Sequence, residues 1–176
     1  LGRFVGITDR ADTYRSDLRK GVAWDVNYLG QITGRELKFG LGFLYQGSAY
    51  KNTHDTGADK IYMHYMAPQV ALTMVQKHYQ LQFSGGIGYQ LYRDKSTVYD
   101  KPRKVTMSKF AGNLSLSGEY FLSSHWGASA RVNWLASSSE SYSVKYHNVE
   151  WDVESPRAGS GYFGQLSLLF GLNYHF

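Results

Sequence analysis

Hydrophobic and polar residues alternate along most of this chain, most clearly in its last sixteen residues, GYFGQLSLLFGLNYHF. Tyr162, Leu166, Leu168, Phe170, Leu172, Tyr174 and Phe176 share one parity; Phe163, Gln165, Ser167, Leu169, Gly171, Asn173 and His175 take the other. A period of two sends alternate side chains to opposite faces of an extended strand. Seven clear runs predict strands at 21–30, 36–50, 61–75, 79–93, 105–122, 126–136 and 161–176, and a weaker run, GRFVGIT, adds 2–8. No helical period of useful length competes, and the runs do not repeat as sequence modules.

The connections alternate in length. QITGR, QKH and SSH are short, whereas 9–20, 51–60, 94–104 and 137–160 are long and polar. An up-and-down meander puts all the short turns at one end and all the long loops at the other. An even strand count then brings both termini to the short-turn end, the plan of outer-membrane barrels.

The two faces differ in kind. One carries Trp24, Val26, Phe39, Leu41, Val70, Leu72, Phe83, Ile87, Leu114, Leu116 and Val132; the other carries Asp25, Lys38, Gly42, Gln69, Gln82, Gln90, Asn113, Ser115, Glu119, Arg131 and Asn133. Tyr45, Tyr62, Tyr89, Phe110, Trp134 and Tyr162 lie on the apolar face near the long loops, while Tyr28, Tyr79, Tyr120, Trp126 and Tyr174 lie near the short turns. Two aromatic rings around an aliphatic band mark two membrane interfaces, so the apolar face is expected to point outward to lipid. The expectation is an all-β protein: an eight-stranded antiparallel up-and-down transmembrane β-barrel, with residues 1–176 as a single domain. The competing reading, a soluble lipocalin-like ligand barrel, requires the apolar face inward.

Leu172 and Tyr174 followed by Phe176 resemble the C-terminal signal of bacterial outer-membrane proteins, and the whole plan is similar to small eight-stranded barrels of the OmpA and OmpX type. The APQVAL stretch is also similar to small barrels of the Bacteroidota. The resemblance implies a bacterial outer-membrane location, contact with outer-membrane lipid and lipopolysaccharide, and recognition of Leu172, Tyr174 and Phe176 by the barrel-assembly machinery.

Composition fits this plan. Tyr at 15 and Gly at 19 against Pro at 3 suit long aromatic strands, and a mean hydropathy of -0.40 is compatible with a barrel whose every second residue faces the lumen. The absence of cysteine excludes a disulfide scaffold and thiolate metal sites. The opening LGRFVGITDR has no basic n-region followed by an apolar stretch, so an exported chain would be a mature or truncated form.

Eight strands leave an interior that side chains can fill, so no wide diffusion pore is expected. If the turns centre near 31–32 and 125, Asp25 falls opposite Lys38 and Glu119 opposite Arg131, giving two structural ion pairs in the lumen. The net charge of +5 concentrates in Lys51, Lys60, Arg93, Lys95, Lys101, Arg103 and Lys104, in or beside the second and third long loops. On an outer leaflet rich in phosphorylated lipopolysaccharide, those residues are candidates for binding phosphate. Nucleic acid is disfavoured, because the aromatics are sorted to interfaces and not interleaved with the basic residues.

Tyr142, Tyr146 and Trp151 in the 24-residue segment 137–160 would be costly on a free solvated loop. They predict a packed β-extension or a contact with a protein partner in the outer membrane, as in a subunit of a larger complex. An enzymatic alternative is a lipid A hydrolase, with His64 near the outer rim as a lipid-facing base. Of the other histidines, His78, His125 and His175 fall at the short-turn end and His54 and His147 in loops. No His-x-Ser or assembled triad accompanies them, so no catalytic residue, cofactor or metal site is assigned.

Overall fold

The computed structural model describes the backbone at 2–6, 21–33, 37–54, 57–98, 101–139, 141–146, 149–154 and 161–176. Ten strands lie within it: β1 (Gly2–Gly6), β2 (Gly21–Thr33), β3 (Leu37–His54), β4 (Gly57–Val75), β5 (Tyr79–Val98), β6 (Lys101–Phe121), β7 (Trp126–Ser139), β8 (Ser141–Tyr146), β9 (Val149–Glu154) and β10 (Gly161–Tyr174). Every pairing is antiparallel, and the order β5-β4-β3-β2-β1-β10-β7-β6 is closed by β5–β6. Eight strands therefore make the predicted up-and-down barrel. β8 and β9 form a hairpin added to β6 above the end of β7.

The weak first run is a strand, but its bonds are uneven. β1 makes five pairs with β10, from Gly2↔Ser167 to Gly6↔Phe163, and a single pair, Gly2↔Gly21, with β2. Its side chains, whose parity the sequence leaves ambiguous at Arg3, Val5 and Ile7, lie outside the described residues.

Between the two aromatic belts the outward parity is apolar. Phe110, Phe170 and Ile87 are 76 %, 78 % and 75 % exposed, and Leu41, Val70, Leu72, Phe83, Leu116 and Val132 are exposed with them. That much contiguous apolar surface exceeds what soluble monomers present to water, and it overturns the lipocalin-like reading. Ten residues separate Tyr79 from Tyr89 on β5 and Phe110 from Tyr120 on β6. At ~3.3 Å per residue and a tilt of ~40°, the belts stand about 25 Å apart, the height of the apolar band of outer-membrane barrels.

The lumen is filled by a layer of amides and hydroxyls. Asn133 Nδ2 donates to Gln46 Oε1, Asn113 Nδ2 donates to Asn133 Oδ1 at 3.1 Å, and Gln69 Nε2 donates to Asn113 Oδ1 at 2.9 Å. Tyr65 Oη donates to the same Asn113 oxygen at 3.1 Å, and Gln46 reaches Ser167 Oγ at 3.4 Å. The layer thus links β3, β4, β6, β7 and β10 across the barrel. All its members are buried, Asn133 to 1 % exposure, so no wide channel passes. Leu44, Tyr65, Ala67, Ala111 and Leu135 pack beside it, and Tyr50, Ile61, Met63, Tyr92 and Met107 form a second cluster nearer the tall end.

Glycines make room for this filling where strands approach closely. A Cβ on Gly88 would stand 2.0 Å from the Met66 carbonyl oxygen. The β4–β5 ladder is also interrupted between Met66↔Tyr89 and Val70↔Gly85, around Pro68, which has no N–H to give it.

Two predicted long loops are corrected. β3 runs on to His54 and β4 begins at Gly57; β5 runs on to Val98 and β6 begins at Lys101. Strands of 18 to 21 residues far exceed the ~10 that a tilted strand needs to cross a bilayer. The surplus forms a wall standing above the aromatic belt at the end opposite the short turns. Alternation fades over 51–60 and 94–104 because the residues there are mostly polar or charged on both parities, such as Asp59 and Asp94 inward and Lys60 and Lys95 outward, so hydrophobicity no longer marks the strand.

Candidate functional site

The wall carries its charges in an order set by register. Lys51 lies opposite Lys60, Lys60 opposite Lys95, Lys95 opposite Lys104, and Lys104 opposite Lys145. All five are exposed and share the outward parity. Strands about 4.8 Å apart make this a row roughly 19 Å long, oblique to the membrane because the strands tilt. Like charges directly opposite one another destabilise a sheet, here by up to about 1 kcal/mol per neighbouring pair in water. The row ends in register at Glu150, opposite Lys145. Lys60, Lys95, Lys104 and Lys145 also line a concavity of about 740 Å³ with Lys101, Arg103, Ser96, Thr97, Ala58 and Pro102.

Of the seven basic residues singled out from sequence, four (Lys51, Lys60, Lys95 and Lys104) stand in this row. Arg93 is exposed on the same face two residues closer to the belt, opposite Tyr62 and Thr106. Lys101 lies at the start of β6 opposite Val98. Arg103 turns the other way: its Nε donates to Ser96 Oγ at 2.9 Å, and its Nη2 stands 3.6 Å from Asp94 Oδ2.

Beneath the row, on the inward parity, lie two buried carboxylates, Asp59 and Asp94. Burial, reinforced by the nearby negative charge of Asp59, pushes the Asp94 carboxyl up to about 6, and the Arg103 guanidinium only partly opposes this. Asp94 Oδ1 is buried without a hydrogen-bond partner. The wall is therefore polarised, cationic outside and acidic within. Lys145, Asp59 and Asp94 were not singled out from sequence. A readable signal was present in the repeated Asp-Lys pairs, Asp59–Lys60 and Asp94–Lys95, because adjacent residues in a strand face opposite ways.

The expected lumen pairs take different partners. Asp25 lies opposite Gln46 and Lys38 opposite Thr73, because β2 runs to Thr33 and the turn falls several residues later than 31–32. Glu119 lies opposite Ser129, two residues short of Arg131, because that turn centres near 124. Arg131 instead reaches across the barrel to Asp25, Nη1 to Oδ2 at 2.7 Å. Glu119 accepts from Gln80 Nε2 at 2.7 Å and meets His175 Nε2 at 2.6 Å.

Leu172, Tyr174 and Phe176 share the outward face and are exposed; Tyr174 packs against Trp126 and Phe176 with ring centroids 5.1 and 5.0 Å apart. His64 Nδ1 is hydrogen-bonded to Tyr45 Oη at 2.9 Å on the outer surface. Tyr142, Tyr146 and Trp151 fall on β8 and β9, which extend the sheet beyond β6; their side chains lie outside the described residues, as do that of His54 and the whole of His147. Among the described residues, no three His, Asp or Glu side chains come together as a metal site requires.

A closed up-and-down sheet with aromatic belts, an apolar exterior and a polar filled lumen defines a β-barrel of the outer-membrane class. Among solved structures, the chain is similar to the outer membrane protease OmpT from Escherichia coli, with a TM-score of 0.55 and 13% sequence identity. The match covers 89% of this chain but only 64% of OmpT, so the chain spans less than two thirds of that protein's length. At this identity the likeness establishes the fold alone. No protein-family model and no curated protein sequence matches the chain.

Proposed function

We propose that this protein is an integral protein of the bacterial outer membrane, with a structural and interaction role, whose tall wall faces the cell exterior and binds phosphate groups of outer-leaflet lipopolysaccharide. The lysine row carries this reading. Five ammonium groups in one register are mutually repulsive without an anion and become a multidentate phosphate site with one. The row begins just above an aromatic belt, where the headgroups of the adjoining leaflet lie. Its oblique course follows a phosphorylated headgroup outward from the membrane. The C-terminal Leu172, Tyr174 and Phe176 serve in this reading as the recognition motif for barrel assembly. They lie exposed on one face at the short-turn end, which corresponds to the periplasmic side.

The test is a titration of purified protein in neutral detergent with lipopolysaccharide, read by native mass spectrometry, against lipopolysaccharide enzymatically stripped of its phosphates. Tighter binding of the phosphorylated form is expected. Replacing the central pair, Lys60→Gln with Lys95→Gln, should weaken that binding about tenfold by removing two charge-assisted contacts. Equal affinity for both lipids, or no effect of the double substitution, would remove the basis for the reading.

A further inference from the structure

The seams that cross the lysine row are not equally strong. β3–β4 runs unbroken from Leu37↔Met74 to His54↔Gly57, and β5–β6 from Tyr79↔Tyr120 to Val98↔Lys101. Each is a long ladder that easily absorbs one repulsive pair. The β6–β8 seam has four pairs, Arg103↔Tyr146 to Thr106↔Ser143, and one of the four is Lys104↔Lys145. Below it the β6 ladder is interrupted before β7 takes over at Ala111↔Ser137. On the far side, β9 pairs with β8 and ends the sheet among the described residues. The hairpin therefore rests on the barrel wall by the shortest of the ladders that cross the row, with two cations facing each other inside it.

We infer that the β8–β9 hairpin is a flap whose docking on β6 depends on the anion it helps to bind. A phosphate seated between Lys104 and Lys145 turns their repulsion into two charge-assisted contacts and closes the seam; its removal lets the flap lift. The ligand is the phosphorylated headgroup of an outer-leaflet glycolipid, so this inference rests on the phosphate-binding reading above and adds a conformational consequence to it. The register within the hairpin supports a flap that moves as a unit. β8 and β9 make six pairs, from Ser141↔Glu154 to Tyr146↔Val149. Lifting costs four pairs on β6 and leaves the six within the hairpin.

Hydrogen–deuterium exchange of peptides covering 141–154, at one fixed ionic strength, tests this on the full chain in nanodiscs. Nanodiscs containing phosphorylated lipopolysaccharide should slow exchange at 143–146 about tenfold relative to its dephosphorylated form. Lys104→Glu should give the slow exchange in both lipids, because the carboxylate it introduces would pair with Lys145 directly. Exchange at 143–146 that is the same in both lipids, while mass spectrometry still detects binding of the phosphorylated form, overturns the flap and leaves the binding reading standing. Loss of that binding overturns both. Equal protection by millimolar inorganic phosphate in the dephosphorylated nanodiscs overturns the glycolipid as the source.

Discussion

Replacing Asp94 by asparagine should stabilise the protein at neutral pH and change little in acid. The carboxyl is 3 % exposed, and burial together with Asp59 raises it from an ordinary 3.8 to about 6. Between those values the folded chain holds a proton that the unfolded chain has released. Stability from this group is therefore greatest below about 4, declines as pH rises to about 6, and stays low beyond. Two units correspond to about 3 kcal/mol. The opposing Arg103 contact, at 3.6 Å to a guanidinium that is one-third exposed, is already contained in that value, and solvent at this outer end screens part of the burial cost. Asp94→Asn should thus gain between about 1 and 3 kcal/mol at pH 8 and almost nothing at pH 3.5. The assay is urea unfolding in lipid vesicles at a series of pH values, read as the difference between variant and parent so that other titrations cancel. A variant less stable than the parent at pH 8 would refute the reasoning, because it would mean that the charged carboxylate is worth more on the wall than its burial costs.

Two further outcomes follow from register and topology. Arg131→Ala should cost about 3 kcal/mol by stranding Asp25, and a cycle of Asp25→Asn with Arg131→Gln should show strong coupling, whereas Glu119→Gln with Arg131→Gln should be additive to within ~0.5 kcal/mol; urea midpoints measure both cycles, and the reverse pattern would restore the pairing expected from sequence. Single cysteines at Ser139 and Lys101 should react with an impermeant maleimide on intact cells while one at Ser124 should not, and labelling at Ser124 alone would invert the orientation of the wall.

The barrel was legible because a bilayer imposes one rule on every crossing strand. Where Tyr79–Tyr89 and Phe110–Tyr120 cross the apolar band, one parity must be apolar, so period two and the aromatic belts identify the strands and their facing from sequence. Register was not legible, because it depends on where each turn falls and the turn sequences are permissive. QITGR admits a turn at 31–32 or a later one, and because β2 runs on to Thr33, Asp25 pairs with Gln46, several rungs from Lys38. The same few residues decide which charges meet: Arg131 finds Asp25 across the lumen, a contact between strands that are not neighbours and that no cross-strand rule can supply. The basic cluster was visible as composition, but its alignment into a row required the extended strands. KNTHDTGADK and DKSTVYDKPRK read as loops when apolar alternation is the only guide.

Along β6, one strand passes through all three environments. From Lys101 to Met107 it lies above the band, with Lys104 outward and Arg103 turned inward toward Asp94. From Phe110 to Tyr120 its outward residues meet lipid while Asn113, Ser115 and Ser117 fill the lumen. At the short-turn end it holds Glu119 against Gln80 and His175. The buried layer of Gln46, Asn133, Asn113 and Gln69 separates the charges of the wall from those at the opposite end. An anion on the lysine row would act on the outer seams, where its Coulomb energy is spent against neighbouring lysines, whereas Asp25 stands level with the layer, opposite Gln46, and Arg131 lies two residues before Asn133 on the short-turn side. Substitutions in the row should therefore change binding and flap exchange and, without anion, raise the unfolding midpoint only by the repulsion they relieve, up to about 1 kcal/mol per pair, whereas substitutions at Asp25 or Arg131 should lower the midpoint and leave binding unchanged. That separation follows from filling a barrel too narrow to conduct.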